Sequence, residues 1–242
     1  MYYFDSRVRY SEVDCEQNMT CAALLNYFQD CCTFQSEDLG IGLDFLEKKH
    51  EAWVLISWQI ILLHKPRLGE RIRINTWPYD FGGFYGYRNF TMENEQGQVV
   101  AYANSIWAFL DTISGKPVKL APELLEVYQK EPAYPMEYAD RKIRMPKEAV
   151  AAGTFEIHTS QLDTNYHVNN EKYIEMAQEY LPKDFEIVQI RAEYKKSAVL
   201  GDVVHPYIHR NETESVITVA LSDEKAKPFA IVEFSEKIVE VR

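Results

Sequence analysis

The sequence predicts an α+β fold made of two similar halves that follow each other along one chain. In each half, a strand pattern is followed by a polar loop, a helical pattern and then several further strand patterns. The polar loops align at Asp14 and Asp163, which stand 149 positions apart (163 − 14), and later turns align at Gly69 and Gly201, 132 positions apart (201 − 69). A unit of this size that occurs twice indicates a tandem domain rather than a long solenoid.

The first half, residues 1–130, predicts one strand, one long helix and four further strands. Residues 2–10 form the first strand, and residues 11–19 form a loop. Thr20 is expected to cap a helix that ends at Gly40, because apolar side chains recur on one helical face between them. The further strands are predicted at residues 52–63, 71–77, 84–93 and 99–110.

The second half, residues 151–242, repeats this order after a linker at residues 131–150. Prolines break the pattern between residues 121 and 146, which is typical of a connecting segment. The second half predicts a strand at 154–159, a helix at 169–181, and strands at 185–196, 202–210, 214–222 and 229–241. Because the offset between the halves falls from 149 to 132, the first half should have the longer connection from helix to strand, near residues 40–52.

Composition narrows the function classes. The formal net charge is −11, which disfavours non-specific binding to nucleic acids. Apolar runs such as residues 60–63 are too short to span a bilayer, and residues 1–5 lack the basic segment of a signal peptide. All four cysteines lie within the first 32 residues, without a second pair for a metal site. We therefore expect a reduced, cytoplasmic protein that uses no metal and no cofactor.

The polar loop of the second half concentrates side chains that can do chemistry. Asp163, Asn165 and His167 are spaced i, i+2 and i+4, so in an extended segment all three would project to one side. Asn169 or Asn170 can cap the helix that follows. The helix N-terminus could hold a developing oxyanion through the backbone N–H groups of Val168 and Asn169. Polar residues in this position can also serve only as caps and turn formers.

Comparison of the two halves distinguishes between these interpretations. The aspartate occurs in both loops, whereas Glu16 stands where the second half has Asn165, and Asn18 stands where it has His167. An imidazole in one copy only is the asymmetry expected when two equal folds have divided binding from catalysis.

The segment Leu162–Ile174 resembles the acyl-acyl carrier protein (acyl-ACP) thioesterases, whose motif reads L-D-x-N-x-H-V-N-N-x-K-Y-I. Every specified position of that motif is present, and the resemblance extends through residues 7–14 and 193–196. It implies a double hotdog fold, in which each half is a long helix wrapped by an antiparallel sheet. It also implies hydrolysis of a fatty acyl thioester, which ends fatty acid synthesis. Asp163, Asn165 and His167 would then be catalytic, and the first hotdog would shape the pocket for the acyl chain.

The sequence departs from the family after the E-Y-K-K stretch at residues 193–196. Plant members continue with Glu and Cys, both of which have been proposed as catalytic, whereas this chain has Ser197 and Ala198. The second half contains no cysteine, so a cysteine nucleophile at this place is excluded. Direct attack by water is the simpler route, with either Asp163 or His167 as its base. Glu193 and Ser197 are possible auxiliary groups, although Glu193 is expected to be a surface carboxylate.

The implied partner is acyl carrier protein, an acidic protein that carries the substrate on its own phosphopantetheine. A net charge of −11 disfavours that association, so docking requires a local basic patch. We expect neither a nucleic acid nor a membrane partner, and the chain could be a monomer or a homodimer. The candidates for docking are Arg141, Lys142, Arg144, Lys195 and Lys196, with Arg67, Arg71, Arg73 and Lys147 as further basic residues.

Three alternative functions remain open from the sequence. A coenzyme A thioesterase would share the reaction and differ only in the carrier. A hotdog hydratase is a poorer match, because hydratases have Pro after the Asn and their His one residue later, whereas Tyr166 follows Asn165 here. A non-catalytic acyl-binding protein would not need all three polar residues. Chain-length preference would depend on how far side chains such as Trp53, Trp58, Phe81 or Phe84 close the pocket.

Overall fold

The computed structural model describes residues 1–238 and divides the chain into two compact units. The first unit contains residues 1–56 and 62–136. The second unit contains residues 57–61 together with the chain from Glu137 onward. The sequence places the change between domains in residues 131–150, and does not anticipate that five residues of an early strand belong to the second unit.

The first unit is an antiparallel sheet with one long and two short helices. The strand order within it is β1, β3, β4, β5 and β2, where β2 also supplies residues 57–61 to the second unit. The strands are β1 (Tyr2–Arg7), β2 (Glu51–Leu62), β3 (Arg71–Gly82), β4 (Tyr85–Asn94) and β5 (Val99–Asp111), and the helices are α1 (Cys21–Asp38), α2 (Leu43–Lys48) and α3 (Pro122–Val127).

Helix α1 packs its apolar face against β3 and β1. It begins as predicted at Thr20, whose hydroxyl accepts a hydrogen bond from Ala23 N at 3.1 Å and so satisfies one of the unpaired N–H groups of the first turn. Phe28 is fully buried and its ring centroid lies 5.2 Å from that of Phe90 on β4. Gly40 follows the helix with φ of 72°, a backbone conformation that glycine adopts without strain.

The start of β3 shows why the sheet forms here. Arg71 and Arg73 are exposed, whereas Ile72 and Ile74 are buried, which is the two-residue alternation of a strand with one solvated face. The prediction of a half-exposed strand at this place is therefore confirmed, although β3 continues five residues beyond the predicted end.

The second unit repeats the plan of one helix against an antiparallel sheet. Its strand order is residues 57–61 of β2, then β8, β11, β10, β9 and β6, with β7 paired to β9. Helix α4 packs against β10 and β11. The elements are β6 (Val150–Ala151), β7 (Phe155–Glu156), α4 (Asn170–Gln178), β8 (Gln189–Tyr194), β9 (Val203–Asn211), β10 (Val216–Ser222) and β11 (Pro228–Ser235).

Several predicted boundaries differ from the structure. The predicted strand at 154–159 shortens to β7, because residues 159–161 turn into a 3-10 helix in which Gln161 accepts a hydrogen bond from His158 N. The connection near residues 40–52 contains α2, and the segment 121–146 contains α3. Helix α3 begins with Pro122, which is favourable because the N–H of the first helical residue has no partner within the helix. The last residues of the predicted strand 229–241 lie outside the described residues.

The internal repeat is confirmed by equivalent hydrogen bonds in the two units. Gly69 N donates to Val8 O at 3.0 Å, and Gly201 N donates to Ile157 O at 3.1 Å. The two glycines have φ of 86° and 81°, so both turns use the left-handed conformation that a side chain would strain. The offsets of 149 and 132 residues therefore join structurally equivalent positions.

Membrane-spanning helices, metal-binding groups and disulfides are all absent from the described part of the chain. None of its helices combines the length and the apolar character needed to cross a bilayer. Its His, Cys, Asp and Glu side chains form no group of three or more that could hold a metal ion. All four cysteines are free thiols, of which Cys15 is exposed and the other three are buried.

Candidate active site

The motif loop at residues 162–168 is a tight turn, not an extended segment. Leu162 and Val168 form an antiparallel bridge, and Asp163 N donates to His167 O at 2.7 Å. Tyr166 occupies the tip with φ of 60°. The prediction of an extended segment is therefore wrong, because the chain reverses between Asp163 and His167.

Asp163 builds this turn with its own side chain. Its Oδ1 accepts hydrogen bonds from Asn165 N at 2.8 Å and from His167 N at 3.1 Å. Aspartate favours such turns because its short carboxylate can satisfy backbone N–H groups two to four residues ahead. The side chains of Asn165 and His167 are left exposed on the loop, where they can meet a substrate.

The first unit contains the same turn. Asp14 Oδ1 accepts from Glu16 N at 2.9 Å and from Asn18 N at 3.0 Å, and Gln17 has φ of 68° at the tip. The turn-forming role explains why the aspartate occurs in both copies. What distinguishes the second copy is therefore the amide and the imidazole that its turn presents.

The backbone on either side of the α4 N-terminus is already hydrogen-bonded. Asn169 caps the helix, and its side chain accepts from Glu171 N at 3.4 Å. Val168 N donates to Ala198 O at 3.0 Å, and Asn169 N donates to Gln161 O at 2.9 Å. The two N–H groups expected to hold an oxyanion would have to break one of these bonds to do so.

Two tyrosines, the buried Tyr173 and the half-buried Tyr194, hydrogen-bond to the backbone around the start of α4. Tyr173 Oη accepts from Ala198 N at 2.8 Å, and Tyr194 Oη donates to Asn170 O at 2.9 Å, with ring centroids 5.9 Å apart. Burial raises the pKa of Tyr173 to about 12, and burial together with Tyr173 and Glu171 raises the pKa of Tyr194 well above its usual value. Both phenols therefore stay protonated at neutral pH and can fix the start of α4.

Glu171 is a candidate residue that the sequence analysis misses. Only 4% of its surface is exposed, and its Oε1 lies 3.1 Å from Lys172 Nζ, which also contacts Glu175 Oε2 at 2.7 Å. Its position three residues before the fully buried Ile174, on the same helical face, is the signal that could have indicated burial.

The two auxiliary candidates lie in different environments. Glu193 is 5% exposed, so the expectation of a surface carboxylate is wrong. Its Oε2 accepts from Ile143 N at 2.9 Å and its Oε1 lies 2.7 Å from Lys195 Nζ, which ties the segment after Glu137 to β8. Ser197 is exposed in the segment after β8.

The basic residues proposed for docking divide into two groups. Lys142 and Arg144 are exposed on either side of the buried Ile143, while Arg141 is half-buried. Lys195 is paired with Glu193, and Lys196 Nζ lies 3.3 Å from Asp223 Oδ2. The exposed cations at 142 and 144 are thus the ones whose charge is directed to solvent.

The first unit has an apolar cluster of its own. Its buried members are Ile41, Leu46, Phe109, Leu120, Leu124 and Tyr128, and Trp53 and Phe81 pack against them. Trp58, by contrast, is 2% exposed and belongs to the second unit. Phe84 contacts Tyr85, with ring centroids 4.3 Å apart and ring planes inclined at 45°. Of the four aromatic residues considered for chain-length preference, two therefore line this cluster.

Comparison with known families explains the repeat and the motif together. The family model described as the acyl-ACP thioesterase N-terminal domain matches residues 2–128, and the one described as the C-terminal domain matches residues 145–235. The chain belongs to the acyl-ACP thioesterase family. The resemblance found from the motif is thereby confirmed.

The relatives that the chain matches include plant proteins. It is 25% identical over 218 residues to the chloroplastic oleoyl-acyl carrier protein thioesterase 1 of Arabidopsis thaliana, covering 81% of this chain and 60% of that protein. It is 22% identical over 232 residues to the chloroplastic palmitoyl-acyl carrier protein thioesterase of Gossypium hirsutum, covering 88% and 56%. The chain thus spans less than two thirds of the length of these relatives.

Solved structures of acyl-ACP thioesterases share the fold. The structure of an acyl-ACP thioesterase from Bacteroides thetaiotaomicron gives a TM-score of 0.87 at 22% identity, covering 96% of each chain. The 12:0-ACP thioesterase from Umbellularia californica gives a TM-score of 0.84 at 17% identity, again covering 96% of each. The predicted α+β double hotdog is therefore confirmed.

Proposed function

We propose that this chain hydrolyses fatty acyl thioesters carried by acyl carrier protein and releases free fatty acid, ending fatty acid synthesis. The observation that carries the proposal is the match of both family domains together with an intact Asp-Asn-His motif in the second unit alone. The substrate would bring its own phosphopantetheine, and the enzyme would need no cofactor. We place the reaction in a reducing compartment, the cytoplasm, on the ground that all four cysteines are free thiols.

The motif residues can divide the chemistry of hydrolysis. A thioester needs a placed water, a group that accepts the proton of that water, and stabilisation of the tetrahedral oxyanion. His167 would give or take a proton beside the leaving sulfur, since an imidazole is the side chain suited to both roles at neutral pH. The Asn165 amide would orient the thioester or the water. We keep the first unit as the acyl-binding part of the protein, with its apolar cluster as the candidate for that role.

The first experiment is hydrolysis of a panel of acyl-ACP thioesters beside the matching acyl-coenzyme A thioesters. We expect the carrier-protein substrates to be strongly preferred, and release from them to be lost in His167→Ala. Equal use of both carriers would instead identify a general thioesterase. Failure to hydrolyse either class, by a folded protein that still binds acyl chains, would leave an acyl-binding protein without catalysis.

Docking of the acidic carrier can be tested separately at the exposed cations of residues 142 and 144. The double variant Lys142→Glu, Arg144→Glu should raise KM for acyl-ACP by roughly threefold to tenfold, because it replaces attraction by repulsion at the rim of the association surface. KM for a small thioester analogue should not change. Lys183→Glu, a reversal at an exposed lysine outside this segment, is the matched control. Equal effects on both substrates, or the same effect in the control, would contradict docking at this surface.

A further inference from the structure

The start of α4 differs from the start of α1 in one buried charge. Thr20 and Asn169 cap the two helices at equivalent positions, so Glu171 occupies the place that Ala22 holds in the first unit. A carboxylate that is 4% exposed is costly to bury, because its ionised form loses its hydration. The second unit therefore carries an ionisable group directly after its motif where the first unit carries a methyl group.

A second polar replacement accompanies Glu171. The residue after the strand donates its N–H to the neighbouring strand in both units, from Leu63 to β5 at 2.9 Å and from Lys195 to β11 at 2.8 Å. This equivalence places Tyr194 where the first unit has Leu62. A half-buried phenol and a buried carboxylate thus replace two apolar side chains, and only in the copy that carries the imidazole.

Glu171 lies close enough to Tyr194 for its charge to act on the phenol. It contributes, after burial and Tyr173, to raising the pKa of Tyr194, whose Oη donates to Asn170 O at 2.9 Å. Its Oε1 lies 3.1 Å from Lys172 Nζ, a cation that can stabilise the ionised carboxylate. The Glu171 carboxylate therefore belongs to the first turn of α4, immediately after the loop that presents His167.

The other carboxylates around the motif already have structural roles. Asp163 holds the turn through two backbone N–H groups, and Asp202 Oδ2 accepts from Val199 N at 3.0 Å. Glu193 accepts from Ile143 N and pairs with Lys195. Residue 197 is serine and supplies no carboxylate. Removing any of these three carboxylates would leave a backbone N–H without its acceptor.

We propose that Glu171 is the catalytic general base of this chain. The inference rests on the proposed thioesterase function. With Glu171 as the base, the Asp163 carboxylate can keep its hydrogen bonds in the turn during the reaction. The buried carboxylate of the second unit then has a catalytic role.

The step balances without any further reactant. Glu171 removes a proton from water as the water oxygen bonds to the thioester carbonyl carbon, which gives a tetrahedral oxyanion. The oxyanion collapses, the carbon–sulfur bond breaks, and the sulfur leaves with the bonding electrons. The proton held by Glu171 returns to that sulfur, through His167 where the imidazole lies between them. Free fatty acid and the carrier thiol are the products, and the carboxylate is restored.

The test compares Glu171→Gln with Glu175→Gln in acyl-ACP hydrolysis. Glutamine keeps the size of Glu171 and an oxygen facing Lys172 but cannot take up a proton, so kcat should fall by about 10²–10⁴-fold with KM little changed. Glu175→Gln removes the other, exposed carboxylate contact of Lys172 and should behave as wild type. In a variant with measurable residual activity, the acidic limb of the kcat/KM profile against pH should disappear, a result that a purely structural role would not produce.

The outcomes separate this inference from the proposed function. Wild-type protein that hydrolyses acyl-ACP while Glu171→Gln keeps near-normal kcat and the same pH profile would overturn the role of Glu171 alone. Wild-type protein inert toward every thioester would overturn the proposed function and this inference with it. If Glu171→Gln folds poorly, Glu171→Asp is the second variant to measure. Aspartate keeps the negative charge, but its side chain is one methylene shorter, so the carboxylate lies farther from its place in the wild type. We expect it to fold and to lose most of its kcat, and full activity in it would also overturn the assignment.

Discussion

Replacing His167 with alanine is expected to lower kcat/KM for acyl-ACP hydrolysis by about 10²–10⁴-fold, the usual loss on removal of a general acid or base. The side chain is exposed, and it is the backbone N–H of His167, not its ring, that holds the turn at Asp163 Oδ1. Alanine keeps that N–H, so the loss should come from chemistry rather than folding. Steady-state kinetics with thermal unfolding of the same preparations would measure both.

The repeat supplies a matched control for this variant. Asn18→Ala makes the equivalent change in the first unit, where Asn18 N donates to Asp14 Oδ1 in the same kind of turn. It should leave turnover unchanged, because that copy carries no imidazole. Near-normal turnover of a folded His167→Ala, or an equal loss in Asn18→Ala, would contradict a catalytic role for the second motif.

Variants at Asp163 distinguish a turn former from a base. Asp163→Asn keeps a side-chain oxygen for the N–H groups of Asn165 and His167, whereas Asp163→Ala removes the acceptor of two hydrogen bonds and should cost about 1–3 kcal/mol of stability. With Glu171 as the base, Asp163→Asn is expected to keep much of the activity. A loss in Asp163→Asn as large as that in His167→Ala, with unchanged unfolding temperature, would return the base to Asp163.

The repeat and the motif could be predicted from sequence because they depend on local pattern. Thr20 caps a helix wherever an apolar face follows, and glycines at 69 and 201 mark turns that need a left-handed conformation. The geometry of the loop could not be predicted in the same way. The spacing of Asp163, Asn165 and His167 suits one face of a strand and also an aspartate-capped turn, and the hydrogen bonds of Asp163 decide for the turn.

The burial of charged groups depends on tertiary contacts that no spacing reveals. Glu193 looks like a surface residue on an alternating strand, yet residues from Glu137 onward cover it and Ile143 N donates to it. Glu171 sits at a position where acidic residues often serve only to favour the helix dipole, so its burial against the sheet is the informative fact. The sequence therefore identified the loop and named Glu193 as a candidate, while only the structure shows that Glu193 and Glu171 are buried.

Replacing Glu193 with alanine is expected to destabilise the second unit by about 1–3 kcal/mol, because Ile143 N is left buried without its acceptor. The neighbouring Arg191 Nη2 donates to Asp140 O at 2.7 Å and to Lys142 O at 3.4 Å, so two side chains of β8 hold this segment and the substitution removes one of them. Lys195, being partly exposed, can be hydrated when its partner is lost. Chemical or thermal unfolding compared with wild type would measure the change.

Glu193→Gln separates structure from catalysis at the same position. The amide oxygen can still accept from Ile143 N, so most of the stability should return while the carboxylate is gone. We expect its kcat for acyl-ACP to stay close to that of wild type, because the Glu193 carboxylate is engaged with Ile143 and Lys195 rather than with the motif loop. A stable Glu193→Gln whose kcat falls as far as that of Glu171→Gln would show instead that both carboxylates take part in the reaction, and would make Glu193 the auxiliary group that the sequence first suggested.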